Sequence, residues 1–273
     1  MSDGQGQASG SVRRGAVQGA LGVLGLDLHA VQSNVTGSPR FARELREWKR
    51  RAAEEPDFPL GRLFPMLGDR TDAAGVMSGH YFHQDLLVAR RVHEARPRRH
   101  VDVGSRVDGL IAHLAVFREV DVIDIRPLRS EVENVSFVQA DLMSLPAELE
   151  RCTDSLSCLH ALEHFGLGRY GDPIDPGGYR SGLDSLTRML EPGGILYLSV
   201  PIGPQRVEFN AHRVFSVPYL TALVSDRFEV QRFSYVDDVG DLHADVDVAA
   251  GGDNFGCIYG CGIWELRRID DAR

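Results

Sequence analysis

Three ionisable side chains stand close together near the middle of the sequence. His160, Glu163 and His164 follow a short apolar run, residues 155–159, whose composition predicts a buried strand. A histidine at the tip of a strand can take up a proton near neutral pH, because its unperturbed pKa is about 6.5. We expect His160 to act as a general base, with Glu163 or His164 orienting it or binding a substrate. Glu163 and His164 can equally serve only to cap and pack the next helix.

These residues also spell H-x-x-E-H, a motif of zinc-dependent hydrolases. Two histidines four residues apart share a metal ion from one face of a helix, and Gly166 and Gly168 disfavour a stable helix here. Cys257 and Cys261 are also four residues apart, but within a strand-like run. Alternation there places both on one face and predicts that they pack together. We therefore expect no metal site.

A second set of polar residues follows three β-rich runs. Gly104 ends the first run, where a glycine lets the backbone approach a ligand. Asp124 stands twenty residues later, at the end of the next run, where a carboxylate can accept hydrogen bonds from ribose hydroxyls. Asp141 follows the third run and can reach the amino group of an adenine. The order of these residues predicts a site for an adenosine-containing cofactor.

The glycine loop on its own is ambiguous. As a G-x-G-x-x-G pattern it has Gly104 and Gly109, but Arg106 takes the middle position. A nicotinamide-dinucleotide site therefore satisfies two glycines of three. A turn between a strand and a helix that binds no ligand fits the loop equally well.

The elements that must position these residues alternate along the chain from residue 100 onward. β-rich runs followed by helical runs predict a doubly wound, mostly parallel α/β sheet, which binds ligands at the carboxyl ends of its strands. No helical pattern separates the last two runs, which predicts a terminal antiparallel hairpin. The predicted strands are residues 101–103, 120–125, 135–139, 155–159, 195–200, 228–235 and 257–266, with helices at 107–117 and 181–190.

Three regions are expected along the chain. Residues 1–38 form a flexible tail with a short helix at 16–26, residues 39–97 a helical N-terminal extension, and residues 98–269 the α/β domain. Within the extension, helices are expected at 40–55 and 83–95. No apolar run approaches the roughly 20 residues that span a bilayer.

The composition is that of an ordinary globular protein. The chain has 273 residues, of which 43% are hydrophobic and 25% charged. Its formal net charge of −9 argues against nucleic acid as a partner, because phosphate binding needs a basic face. Four cysteines in a chain of this length do not suggest a disulfide framework, so we expect a reducing, cytoplasmic location.

Longer strings of sequence carry a resemblance to known families. The Glu-Pro-Gly-Gly turn at 191–194, Asp124 and Ala140-Asp141-Leu142 resemble class I S-adenosylmethionine-dependent methyltransferases, over about residues 101–266. That family's fold is a Rossmann-like, seven-stranded, mostly parallel sheet with a terminal antiparallel hairpin. A closer resemblance is to a methyltransferase-like family named only as a domain of unknown function. It is carried by residues 78–85, 102–106, 158–172 and 207–213.

The resemblance implies S-adenosyl-L-methionine as cofactor and roles for individual residues. Asp102, Gly104 and Arg106 would surround its methionine end, Asp124 its ribose, and Asp141 with Leu142 its adenine. The implied reaction is O-methylation of a small polar or saccharide acceptor, with His160 as the base. The residues expected to contact the acceptor are Tyr170, Asp172, His212 and Arg213.

Two other functions remain open. Arg106 stands where the methyltransferase pattern has a glycine, which favours a protein that keeps the fold as a non-catalytic binding scaffold. A nicotinamide-dependent oxidoreductase is the third interpretation, supported by Gly104 and Gly109 and opposed by Asp141 and the Glu-Pro-Gly-Gly turn.

Overall fold

The computed structural model describes residues 28–52, 54, 57–67, 70 and 75–269. The chain divides into two compact units, the first ending at Val76 and the second beginning at Met77. The predicted tail up to residue 27, with its short helix, lies outside the described residues. Within the described part of the chain, no helix combines the length and the apolar character that crossing a bilayer requires.

Among its described residues, the first unit contains one long helix, α1 (Leu28–Arg51). It begins well before the helix that the sequence predicted after Ser38-Pro39, and Pro39 lies inside it. The Arg40 guanidinium donates a hydrogen bond to the carbonyl of Leu67 at 3.0 Å, which ties the helix to the segment that follows. Part of the region predicted as a flexible tail is therefore helical.

The second unit is built on an eight-stranded sheet. Its strands are β1 (His100–Val103), β2 (Val120–Asp124), β3 (Val135–Gln139), β4 (Thr153–Leu159), β5 (Leu190–Ile202), β8 (Phe228–Val236), β9 (Leu242–His243) and β10 (Gly260–Arg268), and a separate hairpin consists of β6 (Arg206–Glu208) and β7 (His212–Val214). The strand order is β3-β2-β1-β4-β5-β10-β8-β9. Strands β1 to β5 run parallel to one another, and β10 runs antiparallel between β5 and β8.

The predicted fold class is confirmed by this topology. The final strands β8 and β10 pair antiparallel, as the absence of a helical pattern between them predicted. The two-residue strand β9 adds an eighth, edge strand that the sequence did not predict. The helices of the unit are α2 (His80–Ala95), α3 (Ala112–Ala115), α4 (Gly178–Met189) and α5 (Val217–Val224).

Two apolar cores cover the faces of the sheet, and β10 contributes to both. Trp264 and Leu266 belong to one core, while Cys261 and Ile263 belong to the other. Cys257 precedes β10 and lies in the first core, on the opposite side from Cys261. The prediction that the two cysteines pack together is therefore wrong, because the strand begins only at Gly260 and alternation does not extend back to residue 257.

Helix α2 packs on the second core through Leu87, Val88 and Val92, which are buried together with Ile263. It therefore belongs to the second unit, although the sequence analysis grouped it with the N-terminal extension. The helix ends at Ala95 because Arg96 takes a left-handed conformation, with φ of 50°, and Pro97 follows.

The segment after β1 departs from the predicted helix at 107–117. It forms one π-helical turn, Val107–Ile111, followed by the short α3. Gly109 interrupts the turn with φ of −116° and ψ of −107°. A Cβ atom at residue 109 would lie 2.2 Å from a carboxylate oxygen of Asp85, so the close approach of α2 requires glycine here.

Candidate active site

A cavity opens at the carboxyl ends of β1, β2, β3 and β4. It encloses about 570 Å³ of empty space, including the open solvent at its mouth. Members of both sets of polar residues predicted from the sequence line it, together with apolar residues. The lining residues are Val103, Gly104, Ile123, Asp124, Ile125, Arg126, Ala140, Asp141, Leu142, Met143, His160, Ala161, His164, Phe165, Tyr170 and Asp172.

The loop after β1 forms the floor of this cavity. Gly104 has φ of +69°, and a Cβ atom there would lie 2.9 Å from the Cβ of Ala161. Both the backbone conformation and the close approach require glycine. Gly104 also donates its N–H to the carbonyl of Ile123 at 2.9 Å, which holds the loop against the end of β2.

Asp102 lies beneath the loop and does not line the cavity. Its carboxylate accepts hydrogen bonds from the hydroxyl of Ser105 at 2.6 Å, from the backbone N–H of Ser105 at 3.0 Å and from the hydroxyl of Ser157 at 2.5 Å. Burial raises the pKa of Asp102 to about 6 despite these donors. This residue therefore shapes the loop, whereas the sequence analysis expected it to contact the cofactor.

Arg106 also lies outside the cavity. Its guanidinium binds the Asp108 carboxylate with both Nε and Nη2, at 3.0 and 2.7 Å, and stacks over the ring of Tyr81. It lines a neighbouring groove that shares Asp124 with the cavity. Arg106 therefore does not line the cavity in which the methionine end of the cofactor was expected.

Asp124 stands at the end of β2 and already has a partner. The Arg126 guanidinium binds both carboxylate oxygens, at 3.0 and 2.7 Å, and the Arg126 backbone N–H donates at 2.8 Å. Arg126 also lies over the ring of Tyr170, 4.4 Å from its centroid. Sequence reasoning missed Arg126, although an arginine two residues after the carboxylate was a readable signal for this ion pair.

Asp141 and Leu142 follow β3, the strand next to β2, and line the cavity on the same side as Asp124. The Asp141 carboxylate accepts the N–H of Met143 at 2.8 Å, which closes a tight turn. Leu142 is buried, and Ala140 and Met143 extend the apolar surface beside it. These residues form an apolar surface next to the Asp141 carboxylate, which can accept further hydrogen bonds.

His160 follows the last residue of β4 with φ of +50°. The Ser199 carbonyl on β5 accepts its N–H at 3.0 Å and stabilises this left-handed conformation. Its ring is almost fully buried, and Nδ1 lies 2.8 Å from Oε1 of Glu163. The other ring nitrogen, Nε2, is buried without a hydrogen-bond partner. In the neutral ring, with Nδ1–H donating to the carboxylate, Nε2 carries the free lone pair.

Two aromatic side chains at the start of α2 cover His160. The ring of His80 stacks on it, with centroids 5.3 Å apart and planes 5° apart, and the ring of Tyr81 lies 5.1 Å away. Sequence reasoning missed both as site residues, although residues 78–85 carried part of the family resemblance. Burial disfavours a charged His160 ring, but Cys261 and the Glu163 carboxylate beside it hold its pKa above the ordinary value.

Glu163 is buried between the two histidines of the motif. Burial alone would raise its pKa, but the His160 ring outweighs this and lowers it. His164 lines the cavity and donates from Nδ1 to the carbonyl of Ala211 at 2.7 Å. Glu163 and His164 lie on a one-turn 3₁₀ segment, Leu162–His164, and His160 precedes that segment by two residues. The two histidines therefore do not share one face of an α-helix.

The residues expected to bind an acceptor separate into two groups. Tyr170 and Asp172 line the cavity, and the Asp172 carboxylate accepts three backbone N–H groups of residues 166, 168 and 170. Arg213 instead lies buried and donates to the carbonyls of Glu163 and Phe165. His212 faces Glu208, 3.1 Å away, and does not line the cavity.

Comparison with known proteins gives one family match. The family is described as a Caenorhabditis protein of unknown function, DUF268. Residues 116–243 match its profile. This segment covers β2 to β9 and includes Asp124, Asp141 and His160, a little under half of the chain. No curated protein matches the chain.

Several solved structures resemble the chain at low identity. The 1,6-didemethyltoxoflavin-N1-methyltransferase of Burkholderia thailandensis, with bound 1,6-didemethyltoxoflavin and S-adenosylhomocysteine, is 19% identical over 85% of this chain and 90% of that chain, with a TM-score of 0.48. The N-methyltransferase NodS of Bradyrhizobium japonicum WM9, in complex with S-adenosylhomocysteine, is 13% identical over 70% and 88%, with a TM-score of 0.46. The [4+2]-cyclase SpnF is 16% identical over 73% and 90%, with a TM-score of 0.47.

Proposed function

We propose that this chain is an S-adenosylmethionine-dependent methyltransferase that acts on a hydroxyl group of a small polar or saccharide acceptor. One observation carries the proposal. A single cavity at the carboxyl ends of the parallel strands is lined by Asp124 and Asp141 on one side and by His160 on the other. An adenosine site and a proton acceptor therefore face the same space.

The residues on the first side fit the adenosine part of the cofactor. Asp124 would accept the ribose hydroxyls once the Arg126 guanidinium turns away from its carboxylate. Asp141 would accept a hydrogen bond from the adenine amino group, with Leu142 against the ring. Gly104 would leave the floor open for the methionine end. When bound, S-adenosylmethionine supplies a methyl group on a sulfonium, which a nucleophile can displace.

The second side would remove the proton of the acceptor. The Nε2 atom of His160 is buried and, in the neutral ring, holds a free lone pair, while Glu163 fixes the ring and its tautomer through Nδ1. Because the pKa of this ring is raised, the base is available at a pH above that pKa. A hydroxyl placed against Nε2 would give up its proton as it attacks the methyl group. The Glu163 carboxylate would stabilise the charged ring that results, as acidic partners of catalytic histidines do. The polar loop with Tyr170 and Asp172 would orient the acceptor.

Gly109 no longer supports the interpretation as a nicotinamide-dependent oxidoreductase. Gly109 is explained by the carboxylate of Asp85, which a side chain at residue 109 would meet. A buried carboxyl group at this place also disfavours a diphosphate next to the loop. One observation favours the interpretation as a non-catalytic scaffold, because the Asp124 carboxylate is already paired with Arg126.

Calorimetric titration of the purified chain with S-adenosylmethionine and S-adenosylhomocysteine, in the presence of EDTA, tests the cofactor. We expect both to bind, and Asp124→Ala to weaken binding by about tenfold to a hundredfold, because hydrogen bonds to a charged group contribute about 1.5–3 kcal/mol. Asp121→Ala is the matched control. It lies on the same strand, pairs with Arg99 and does not line the cavity, so its affinity should equal that of the wild type.

Each result separates the interpretations. Binding that Asp124→Ala weakens and Asp121→Ala leaves unchanged supports the methyltransferase and justifies a screen of hydroxylated acceptors. If neither ligand binds, the methyltransferase proposal fails and the scaffold interpretation takes its place. Binding that both variants weaken alike would mean that the adenosine lies elsewhere.

A further inference from the structure

Three metal-ligating side chains meet beside the cavity. The donor atoms of His80, His160 and Cys261 all lie within 4.8 Å of one another. They come from the first residue of α2, from the turn after β4 and from the beginning of β10. The sheet order and the packing of α2 bring these distant segments together, since the register pairs Cys261 with Pro201 at the same end of the sheet that ends β4.

One of these donor atoms lacks a hydrogen-bond partner outside the cluster. Nε2 of His160 is buried with none, and the Cys261 thiol is its neighbour within the cluster. The thiol of Cys261 is fully buried and donates to Oε1 of Gln84 at 3.6 Å, with the carbonyl of Gly262 at 3.9 Å. A buried polar atom without a partner is uncommon and costly in proteins, so its place beside a thiol and a second imidazole favours a shared ligand.

Each of the two histidine rings has a hydrogen bond that fixes its orientation, as the rings of metal-bound histidines do. Nδ1 of His160 lies 2.8 Å from Oε1 of Glu163, and the backbone of Tyr259 hydrogen-bonds the ring of His80. Metal-bound histidines almost always use their other ring nitrogen in this manner, on a carboxylate or a backbone carbonyl. The arrangement leaves one nitrogen of each ring free to face Cys261.

We propose that His80, His160 and Cys261 bind a zinc-type divalent cation. Two imidazole nitrogens and a thiolate suit Zn²⁺, and they do not suit Mg²⁺ or Ca²⁺. Tetrahedral Zn²⁺ holds such donors about 3.3–3.7 Å apart, so the cluster closes by about 1 Å on binding. The thiol loses its proton to solvent on binding, and the thiolate together with the Glu163 carboxylate balances the two charges of the ion.

Three protein ligands would leave one position of a tetrahedral ion for an exchangeable group. Of the three ligands, His160 also lines the cavity proposed for the acceptor. Catalytic zinc sites commonly have this composition, with three protein ligands and one exchangeable position. The site departs from the expectation of no metal, because His80 and Cys261 lie far from the H-x-x-E-H motif in the sequence.

The metal site stands independently of the proposed methyl transfer, but the two share one atom. Nε2 of His160 cannot hold a metal ion and accept a proton at the same time. Occupancy by Zn²⁺ therefore blocks the base, and the bound ion inhibits transfer.

Titration of the EDTA-treated full chain with Co²⁺, a spectroscopic substitute for Zn²⁺, tests the site without any cofactor. We expect one equivalent to give the visible bands of tetrahedral Co²⁺ and a thiolate charge-transfer band in the near ultraviolet, with Zn²⁺ displacing both. Cys261→Ser should remove the charge-transfer band, and His80→Ala should weaken binding by at least about tenfold. Glu163→Gln should weaken it by about tenfold to a hundredfold, as loss of an outer partner does.

The matched controls are Cys152→Ser and His93→Ala, which change a partly buried cysteine and an exposed histidine outside the cluster. Both should keep the wild-type spectrum. Since Cys261 is fully buried, its variant is checked by thermal unfolding, and the partly buried His80→Ala gives a second, independent test. A wild type without tetrahedral Co²⁺ bands overturns the proposal, as does a folded Cys261→Ser variant with an unchanged spectrum. Calorimetry with EDTA present judges the methyltransferase separately.

Discussion

The two sides of the cavity are built in different ways. Asp124 and Asp141 each stand directly after a strand, so the order of the strands alone places them together. His160 also ends a strand, but its ring is set by Ser199 and His80, which belong to β5 and α2. The first side depends on local sequence, and the second depends on contacts between distant segments.

The two sides also differ in how their polar groups are satisfied. The Asp124 carboxylate is paired with Arg126, a neighbour in the sequence. Nε2 of His160 has no partner. The carboxylate on the adenosine side is therefore already paired with a neighbouring residue. On the histidine side, Nε2 can still bind a proton, a metal ion or the hydroxyl group of an acceptor.

The largest effect should come from the histidine side. His160→Gln removes the proposed proton acceptor, and we expect methyl transfer to a hydroxyl acceptor to fall by about 10²–10⁴-fold. Binding of S-adenosylhomocysteine should stay within a few-fold of the wild type, because Asp124 and Asp141 remain. The measurements are transfer rates with labelled cofactor and calorimetry on the same preparation.

A reversible form of this experiment uses the metal ion. Adding Zn²⁺ to the EDTA-treated wild type should inhibit transfer, and EDTA should restore it. His80→Ala should be less sensitive to Zn²⁺, because it lacks one ligand. Full activity of His160→Gln, or activation by Zn²⁺, would remove His160 from the role of base and leave the metal site to be judged by the Co²⁺ spectra.

The same contrast explains what the sequence could predict. Strand alternation sufficed to predict the sheet, and the position after each strand sufficed to predict that Asp124, Asp141 and His160 lie at the carboxyl ends of its strands. They could not identify His80 or Cys261, because the packing of α2 and the insertion of β10 between β5 and β8 bring these residues to the site. Asp102 shows a second limit of prediction from the sequence. It lies near the end of β1, as a cofactor contact would, but its side chain is buried and hydrogen-bonded to Ser105 and Ser157.

A smaller effect is expected on the adenosine side. Arg126→Ala frees the Asp124 carboxylate, so S-adenosylhomocysteine should bind more tightly, by up to about fivefold, since a half-exposed ion pair contributes about 1 kcal/mol or less. Calorimetry at low and high salt measures this, and the gain should shrink at high salt because screening weakens the competing pair. Weaker binding by the variant would mean that Arg126 contacts the cofactor through its position over Tyr170.

The last prediction concerns stability and Asp85, which connects the two sides. It lies against Gly109 of the loop that follows β1, and it accepts a hydrogen bond from Gln84, whose carbonyl in turn accepts from Ser199. Burial raises the pKa of Asp85 to about 6, against the lowering influence of Gln84, His113, His160 and Arg106. A folded-state pKa above the ordinary value means that the stabilising contribution is complete at low pH and is lost as the pH rises through about 6.

Asp85→Asn should therefore leave the free energy of unfolding nearly unchanged at about pH 4 and raise it by about 1–3 kcal/mol at about pH 8. Urea unfolding at the two pH values measures the difference, and the exposed Asp226→Asn, which should behave alike at both, is the control. A gain for Asp85→Asn that is equal at both pH values would mean that its carboxyl group does not titrate between them. The loop and the histidine side would then be linked by hydrogen bonding and packing at this residue, with no contribution from its charge.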